Sequence, residues 1–249
     1  MQKILLSLFF IASLSFAEAQ TNGFMLQASL GLVGDHNNQQ ATYSSFKTTH
    51  SFQSTISWAG GLAYQRFFSK RLGVKTGLLY EYAPVSRLEI YEYLRFRGVL
   101  RRGEINRRFI NQSLLLPLQL RWQGKGIGFS AGLISNLHLS TKLEQNLIFF
   151  DDGVEINRGE NSFQSGDFTV TGLGDTEKIY LEKKINFQLV FGVSISLNPR
   201  LALDLEYKDF LGQNLLVQEV TNYDVSGTFV HTFAPFARSF SLGISWIIL

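Results

Sequence analysis

Apolar and polar side chains alternate one by one along most of the chain. Near the end, Phe240, Leu242, Ile244, Trp246 and Ile248 are interleaved with Ser239, Ser241, Gly243 and Ser245. Over residues 185–197, Ile185, Phe187, Leu189, Phe191, Val193, Ile195 and Leu197 alternate with Asn186, Gln188, Gly192, Ser194 and Ser196. Over residues 201–208, Leu201, Leu203, Leu205 and Tyr207 alternate with Ala202, Asp204, Glu206 and Lys208. A period of two puts one set of side chains on each face of a β-strand; a helix would scatter both sets. Residues 23–33, 56–67, 72–82, 109–122 and 127–142 behave similarly, least cleanly at 56–67, where Gly60 falls among the apolar positions. The pattern therefore predicts eight strands.

The connections alternate in length. Ser69-Lys70-Arg71, Gln123-Gly124-Lys125-Gly126 and Asn198-Pro199-Arg200 have the composition of tight turns. Between them lie long polar stretches at 34–55, 83–108, 143–183 and 211–237. Short connections on one rim and long ones on the other are the plan of bacterial outer-membrane barrels. No linker or break in composition divides the chain, so the expectation is a single all-β domain: an eight-stranded antiparallel up-and-down transmembrane β-barrel with long extracellular loops. Alternation inside 87–97 and 168–185 suggests strands that run past the membrane, and leaves a ten-stranded barrel as the alternative.

Eight alternating strands also fit a soluble lipocalin-like barrel, which would turn its apolar face inward. Side-chain size separates the two. Phe24, Leu26, Leu30, Leu62, Leu78, Leu114, Leu116, Leu118, Phe187, Phe191 and Trp246 form a bulky set too large for the bore of so small a barrel. The opposite set is small or polar: Gly31, Gly61, Ala63, Gly77, Ser130, Gly132, Gly192 and Gly243, with Gln27, Gln65, Gln119 and Gln188. The ionisable residues Lys75, Glu81, Arg121, Asp204, Glu206 and Lys208 all fall on this second face. A basic side chain at the lipid midplane costs about 2–4 kcal/mol, so their placement implies a lumen that is plugged by charge pairs. Tyr64, Trp122 and Trp246 fall near the short-turn ends, and Trp58, Tyr80, Tyr82, Tyr207 and Phe210 near the long-loop ends. Two aromatic girdles at two membrane interfaces are the expectation.

Residues 1–19 read as a cleavable secretory signal, with Lys3, an apolar run from Ile4 to Phe16 and an Ala17-Glu18-Ala19 cleavage site. The apolar run is shorter than the roughly 20 residues a membrane helix needs. The mature domain is then 20–249.

Composition narrows the functions. The 249 residues contain no cysteine, which excludes disulfides, thiolate metal sites and cysteine nucleophiles. A net charge of +3 gives no field for tracking nucleic acid phosphates.

Some stretches resemble a known family. "LLLPLQLRW" at 114–122, a glycine turn and "GFSAGLISNLHLSTK" at 128–142 are similar to the conserved hairpin of PorT-like outer-membrane β-barrel proteins of Bacteroidota. "FQLVFGVSISLNPRLALDLEYKDFLGQNL" at 187–215 resembles that family's next strand pair, and "SFSLGISWIIL" its closing strand, although outer-membrane barrels usually finish on an aromatic residue and this one ends on Leu249. The resemblance covers roughly the second half of the mature chain. It implies an outer-membrane barrel with a porin-like fold, and a link to protein secretion or gliding.

Candidate chemistry is sparse. His138 lies on the small-residue face, where Ser130, Ser140, Asp204 and Glu206 could complete a hydrolytic constellation. A hydrogen-bonded lumen histidine is the plainer reading. No G-x-S-x-G, H-E-x-x-H or Gly-rich phosphate loop is present. Asp151, Asp152 and Glu155 bring three carboxylates of the kind calcium takes into one stretch, but their spacing lacks a full binding loop, and no metal or cofactor is expected. Residues 83–108 carry Arg87, Arg95, Arg97, Arg101, Arg102, Arg107 and Arg108 against Glu89, Glu92 and Glu104, a net of +4. Residues 143–183 carry nine acids against Arg158, Lys178 and Lys183, a net of −6. The two stretches should attract each other. The arginines also suit lipopolysaccharide phosphates or the carboxylates of a partner. The sequence therefore points to a non-catalytic envelope barrel of the outer membrane that touches lipid and lipopolysaccharide and, through its loops, secretion-machine or surface proteins. A barrel hydrolase acting on lipid or peptide, and a soluble ligand-binding barrel, are the competing readings.

Overall fold

In the computed structural model the alternating segments are strands, and the ring they form closes on itself. The structure describes residues 22–34, 39–43, 46–94, 100–151, 153–164, 168–172, 175–181, 185–211, 216–222, 227–233 and 238–248. Residues 1–19, expected to be a signal segment, lie outside them. In chain order the strands are β1 (Gly23–Gly34), β2 (Gln39–Tyr43), β3 (Phe46–Gln53), β4 (Thr55–Phe67), β5 (Leu72–Leu94), β6 (Leu100–Gln123), β7 (Ile127–Asp151) and β8 (Val154–Gln164). There follow β9 (Phe168–Gly172), β10 (Asp175–Leu181), β11 (Ile185–Asn198), β12 (Leu201–Phe210), β13 (Leu216–Asn222), β14 (Gly227–Phe233) and β15 (Arg238–Ile247).

Eight of these pair antiparallel into a closed barrel in the order β1, β4, β5, β6, β7, β11, β12, β15, with β15 returning to β1 from Met25↔Ile247 to Gly34↔Arg238. The additional strands do not widen the ring to ten. They build on its long-loop end: the strand extensions expected at 87–97 and 168–185 are present, and much of the remaining polar stretches is strand as well. β5 and β6 stay paired from Leu72↔Trp122 out to Leu94↔Leu100. β7 continues past the barrel and returns as β8, while β3 pairs with the outer part of β5 and β2 with β3. β9, β10, β13 and β14 form a separate four-stranded sheet from the two remaining connections. The three short connections join β4 to β5, β6 to β7 and β11 to β12; by the usual plan of such barrels these turns face the periplasm.

The faces fall as side-chain bulk requires. Leu116, Phe187 and Ile244 are 48%, 49% and 51% exposed on the outer wall. Gln27, Lys75, Gln119, Gln188 and Ser245, on the other face, are buried in the lumen. Glycine lets the small bore close. A Cβ at Gly61 would lie 2.2 Å from the Leu78 carbonyl oxygen, and one at Gly132 only 2.1 Å from that of Leu118. The lumen is nevertheless not wholly polar. Leu79, Leu115, Ile134 and Val190 meet inside as a small apolar layer on the adjacent strands β5, β6, β7 and β11. Further out, Val33, Ala83 and Val85 form a second apolar cluster.

One irregularity changes the phase of β7. Gln112 pairs with Ser140 but Ser113 with His138, so Leu139 is the extra residue of a bulge. Before it the even-numbered Ile134 and Asn136 are buried; after it the odd-numbered Thr141, Leu143 and Gln145 are.

Candidate functional site

The six ionisable residues of the small-residue face lie inside the barrel. Lys75 and Glu81 project inward from β5, Arg121 from β6, and Asp204, Glu206 and Lys208 from β12; none is more than 9% exposed. In the ring, β5 and β12 are separated by three strands on either side, and so stand opposite each other. Lys75 Nζ reaches Glu206 Oε1 at 3.4 Å, and Lys208 Nζ reaches Glu81 Oε1 at 3.6 Å. Two ion pairs thus cross the lumen from wall to wall. Arg121 ties further strands together. It donates from Nη1 to Gln65 Oε1 on β4 and from Nη2 to Ser194 Oγ on β11, each at 2.8 Å. Asp204 accepts a hydrogen bond from Ser245 Oγ on β15. Each charge has a partner, the condition under which burial of charge is tolerable.

A second buried cluster, which the sequence reading overlooked, lies further out. Glu89 is fully buried, with Oε1 at 2.9 Å from Arg107 Nη1 and 3.1 Å from Arg87 Nε. From sequence, Arg107 belongs to a basic loop suited to phosphates. It is 1% exposed and faces Glu89 instead. The signal was in the alternation: continuing inward from Glu81 through Ala83 and Val85 places Arg87 and Glu89 on the buried face of β5.

The rest of the basic stretch divides. Arg102 pairs with Glu104 at 2.7 Å, and Arg108 with Glu144 at 3.7 Å, all on partly exposed surface. Arg101 is in β6, opposite Asp151, while Arg95 and Arg97 lie outside the described residues. The basic and acidic stretches are joined directly, because the outer parts of β6 and β7 are paired, and Lys142 also contacts Glu144 at 2.8 Å.

Aromatic residues gather at two heights. Toward the short turns, Tyr64 packs on Phe24 at 5.1 Å between ring centroids and Trp122 on Phe129 at 5.7 Å, with Trp246 exposed opposite Leu26. Toward the other end, Trp58 packs on Tyr80 and Tyr82 at 5.5 and 5.8 Å, and Tyr207 on Phe240 at 4.9 Å. Tyr207 also donates to Asp209 at 3.1 Å. The side chain of Phe210 is outside the described set.

The candidates for hydrolysis are dispersed. His138 Nε2 is 3.0 Å from Thr141 Oγ1, which donates to Asn111 Oδ1. Ser140 donates to Gln112, Asp204 accepts from Ser245 and Glu206 pairs with Lys75, so these three are committed elsewhere, while Ser130 stands on β7 opposite Arg121 and Gly192 of the neighbouring strands. In the acidic turn, Glu155 takes two contacts from Arg158, at 3.1 and 3.3 Å.

A closed ring of strands with an apolar belt outside, aromatic residues at both edges of the belt and paired charges within has one suitable surrounding. The chain is an outer-membrane β-barrel. No family model matches it, and no curated protein does. Among solved structures it is similar to the outer membrane protein OprG of Pseudomonas aeruginosa, at 11% identity and a TM-score of 0.48, covering 92% of this chain and 97% of that one. It is also similar to the outer membrane protease OmpT of Escherichia coli, at 9% identity and a TM-score of 0.36, covering 96% and 100%. A third is an outer membrane channel of Pseudomonas putida F1, at 7% identity and a TM-score of 0.29, covering 92% and 96%.

Proposed function

We propose that this barrel is a non-catalytic interaction protein of the envelope, anchored by a closed cylinder and working through the sheets at its outer end. The observation that carries the reading is the pair of ion bridges, Lys75 to Glu206 and Glu81 to Lys208, crossing the lumen between opposite strands. Such a bore has fixed charges where a pore would hold a water column. The material outside the membrane is ordered as strand pairs, which offer a defined surface. The resemblance of residues 114–142 and 187–215 to PorT-like barrels supports a protein-secretion machine as the partner class. The partly exposed Arg102 and Arg108 support contact with lipopolysaccharide phosphate.

Two measurements test this. Purified protein in planar bilayers is expected to give no sustained large-conductance channel, and such a channel would overturn the closed lumen. Co-purification from native membranes is expected to recover an envelope protein with the intact chain and to lose it when residues 144–163 of the β7–β8 hairpin are replaced by a short turn. A partner retained by that shortened chain would remove the outer hairpin from the interaction.

A further inference from the structure

The short-turn rim carries a charge pattern that the lumen does not use. Its first turn holds Lys70 and Arg71, its second Lys125 and its third Arg200, with Arg66 close by at the end of β4. All five residues are exposed, and none joins an ion pair among the described residues. The surrounding sequence sharpens the asymmetry. No aspartate or glutamate occurs in residues 36–80, 105–143 or 183–203, the three stretches that contain these turns.

The turns are also held in place. Arg71, Gly126 and Arg200 each offer a backbone carbonyl to the next strand round the rim, accepting from Gln123, Ser196 and Ile247 at 2.8 Å. Ser69 Oγ accepts from the Leu72 amide at 3.0 Å, and Asn198 Oδ1 from the Arg200 and Leu201 amides at 2.8 Å. The cationic side chains therefore project from fixed backbone, and next to them Phe68, Leu72, Ile127 and Leu197 face outward and are exposed. Apolar groups in the lipid belt, with cations just beyond it, match the profile of a leaflet from acyl chain to headgroup.

The arrangement around the ring selects the occupant. The three turns occupy every second gap between strands, and the fourth such gap lies between β15 and β1. A single docked protein needs cations on one side, whereas surrounding lipid meets them all round. We propose that this rim is a collar for anionic phospholipid of the periplasmic leaflet, its headgroup phosphates held by Lys70, Arg71, Lys125 and Arg200. Arginine can fork onto two phosphate oxygens and lysine acts as a point charge.

The test is native mass spectrometry of the full chain released from nanodiscs of equal parts phosphatidylglycerol and phosphatidylcholine. The unmutated barrel is expected to retain phosphatidylglycerol preferentially. Lys70→Gln/Arg71→Gln/Lys125→Gln/Arg200→Gln is expected to lower that preference by roughly a hundredfold or more, since each of the four cations contributes about a fivefold factor near an anionic surface. Arg71→Lys/Arg200→Lys should keep it, because charge is retained. Heat-modifiable migration on gels verifies the barrel in each case, and Lys125→Gln alone gives the same reading in a smaller step should the fourfold variant not fold. Equal retention of the two lipids by the unmutated protein, or an unchanged preference in the glutamine variants, overturns the proposal. Co-sedimentation with peptidoglycan sacculi that needs the same cations, without any lipid preference, overturns it in favour of cell-wall carboxylates.

Discussion

Lys75 and Glu206 meet at 3.4 Å across the lumen, although three strands separate β5 from β12 in either direction round the ring. Farther along the same two strands the signs are exchanged, with Glu81 on β5 and Lys208 on β12 at 3.6 Å. The ladder hydrogen bonds hold each strand only to its neighbours; these pairs hold opposite walls at a fixed distance.

Removal of one partner should therefore cost far more than a surface ion pair would. Glu206→Ala leaves Lys75 buried without its counter-charge, and a loss of about 3–5 kcal/mol is expected. Lys75→Ala should cost a similar amount, and the double variant much less than the sum. Urea unfolding in lipid vesicles, followed by tryptophan fluorescence, measures all three. Additive losses would mean that the two side chains do not interact across the bore.

The placement of these charges was legible in the sequence because alternation assigns a face to every residue of an unbroken strand. What escaped was of three kinds. Leu79, Leu115, Ile134 and Val190 sit on the lumen face by the same rule, but the contrast between a bulky exterior and a small polar interior hid an apolar layer inside. The bulge at Leu139 reversed the phase of β7, and no residue there announces it, so the burial of Leu143 could not be read from the segment before it. The outer stretches looked mostly like loops because their composition is polar, although alternation at 87–97 and 168–185 already pointed to strand there. Paired into hairpins they are strands, and the inward face of β5 beyond Tyr82 holds a buried cluster at Glu89 rather than a wetted basic surface.

That distinction gives a contrast within one sheet. Glu89 is fully enclosed between Arg87 and Arg107, whereas Glu144 is about a third exposed beside Arg108 and Lys142. Glu89→Ala is expected to destabilise the outer sheet by about 3–5 kcal/mol and to open residues 83–108 to protease. Glu144→Ala should change stability by no more than about 1 kcal/mol and leave the digestion pattern intact. Equal sensitivity of the two variants would show that burial does not separate these clusters.

Gly132 and Gly159 should respond in opposite ways to the same methyl group. At Gly132 a Cβ would lie 2.1 Å from the Leu118 carbonyl oxygen and 2.6 Å from the Gln119 Cα, both backbone atoms of the paired strand. Those atoms can move only by forcing β6 and β7 apart. At Gly159 the nearest atom is a Leu147 methyl at 4.0 Å. Gly132→Ala is expected to abolish the heat-modifiable folded band or to lower stability by more than about 3 kcal/mol, beyond the usual range for a point variant. Gly159→Ala should stay within about 0.5 kcal/mol, as surface substitutions do. A well-folded Gly132→Ala barrel would show that the wall has slack there.

The outward direction of the bulky face can be tested by placing a charge on it. Leu116 is half exposed on β6, between Leu114 and Leu118, roughly 20 Å along the strand from Trp122 at about 3.3 Å per residue. In a lipid belt about 25 Å tall, crossed by tilted strands, that position is close to the midplane. Leu72 is exposed to a similar degree but stands at the short-turn rim, where a cation can reach headgroups and water. Leu116→Arg is therefore expected to cost about 2–4 kcal/mol and Leu72→Arg about 0–1 kcal/mol, measured by reversible unfolding from vesicles. Water around the same wall would treat two exposed leucines alike. If the two substitutions cost equal amounts, the apolar belt does not face lipid, and the cylinder is a soluble barrel.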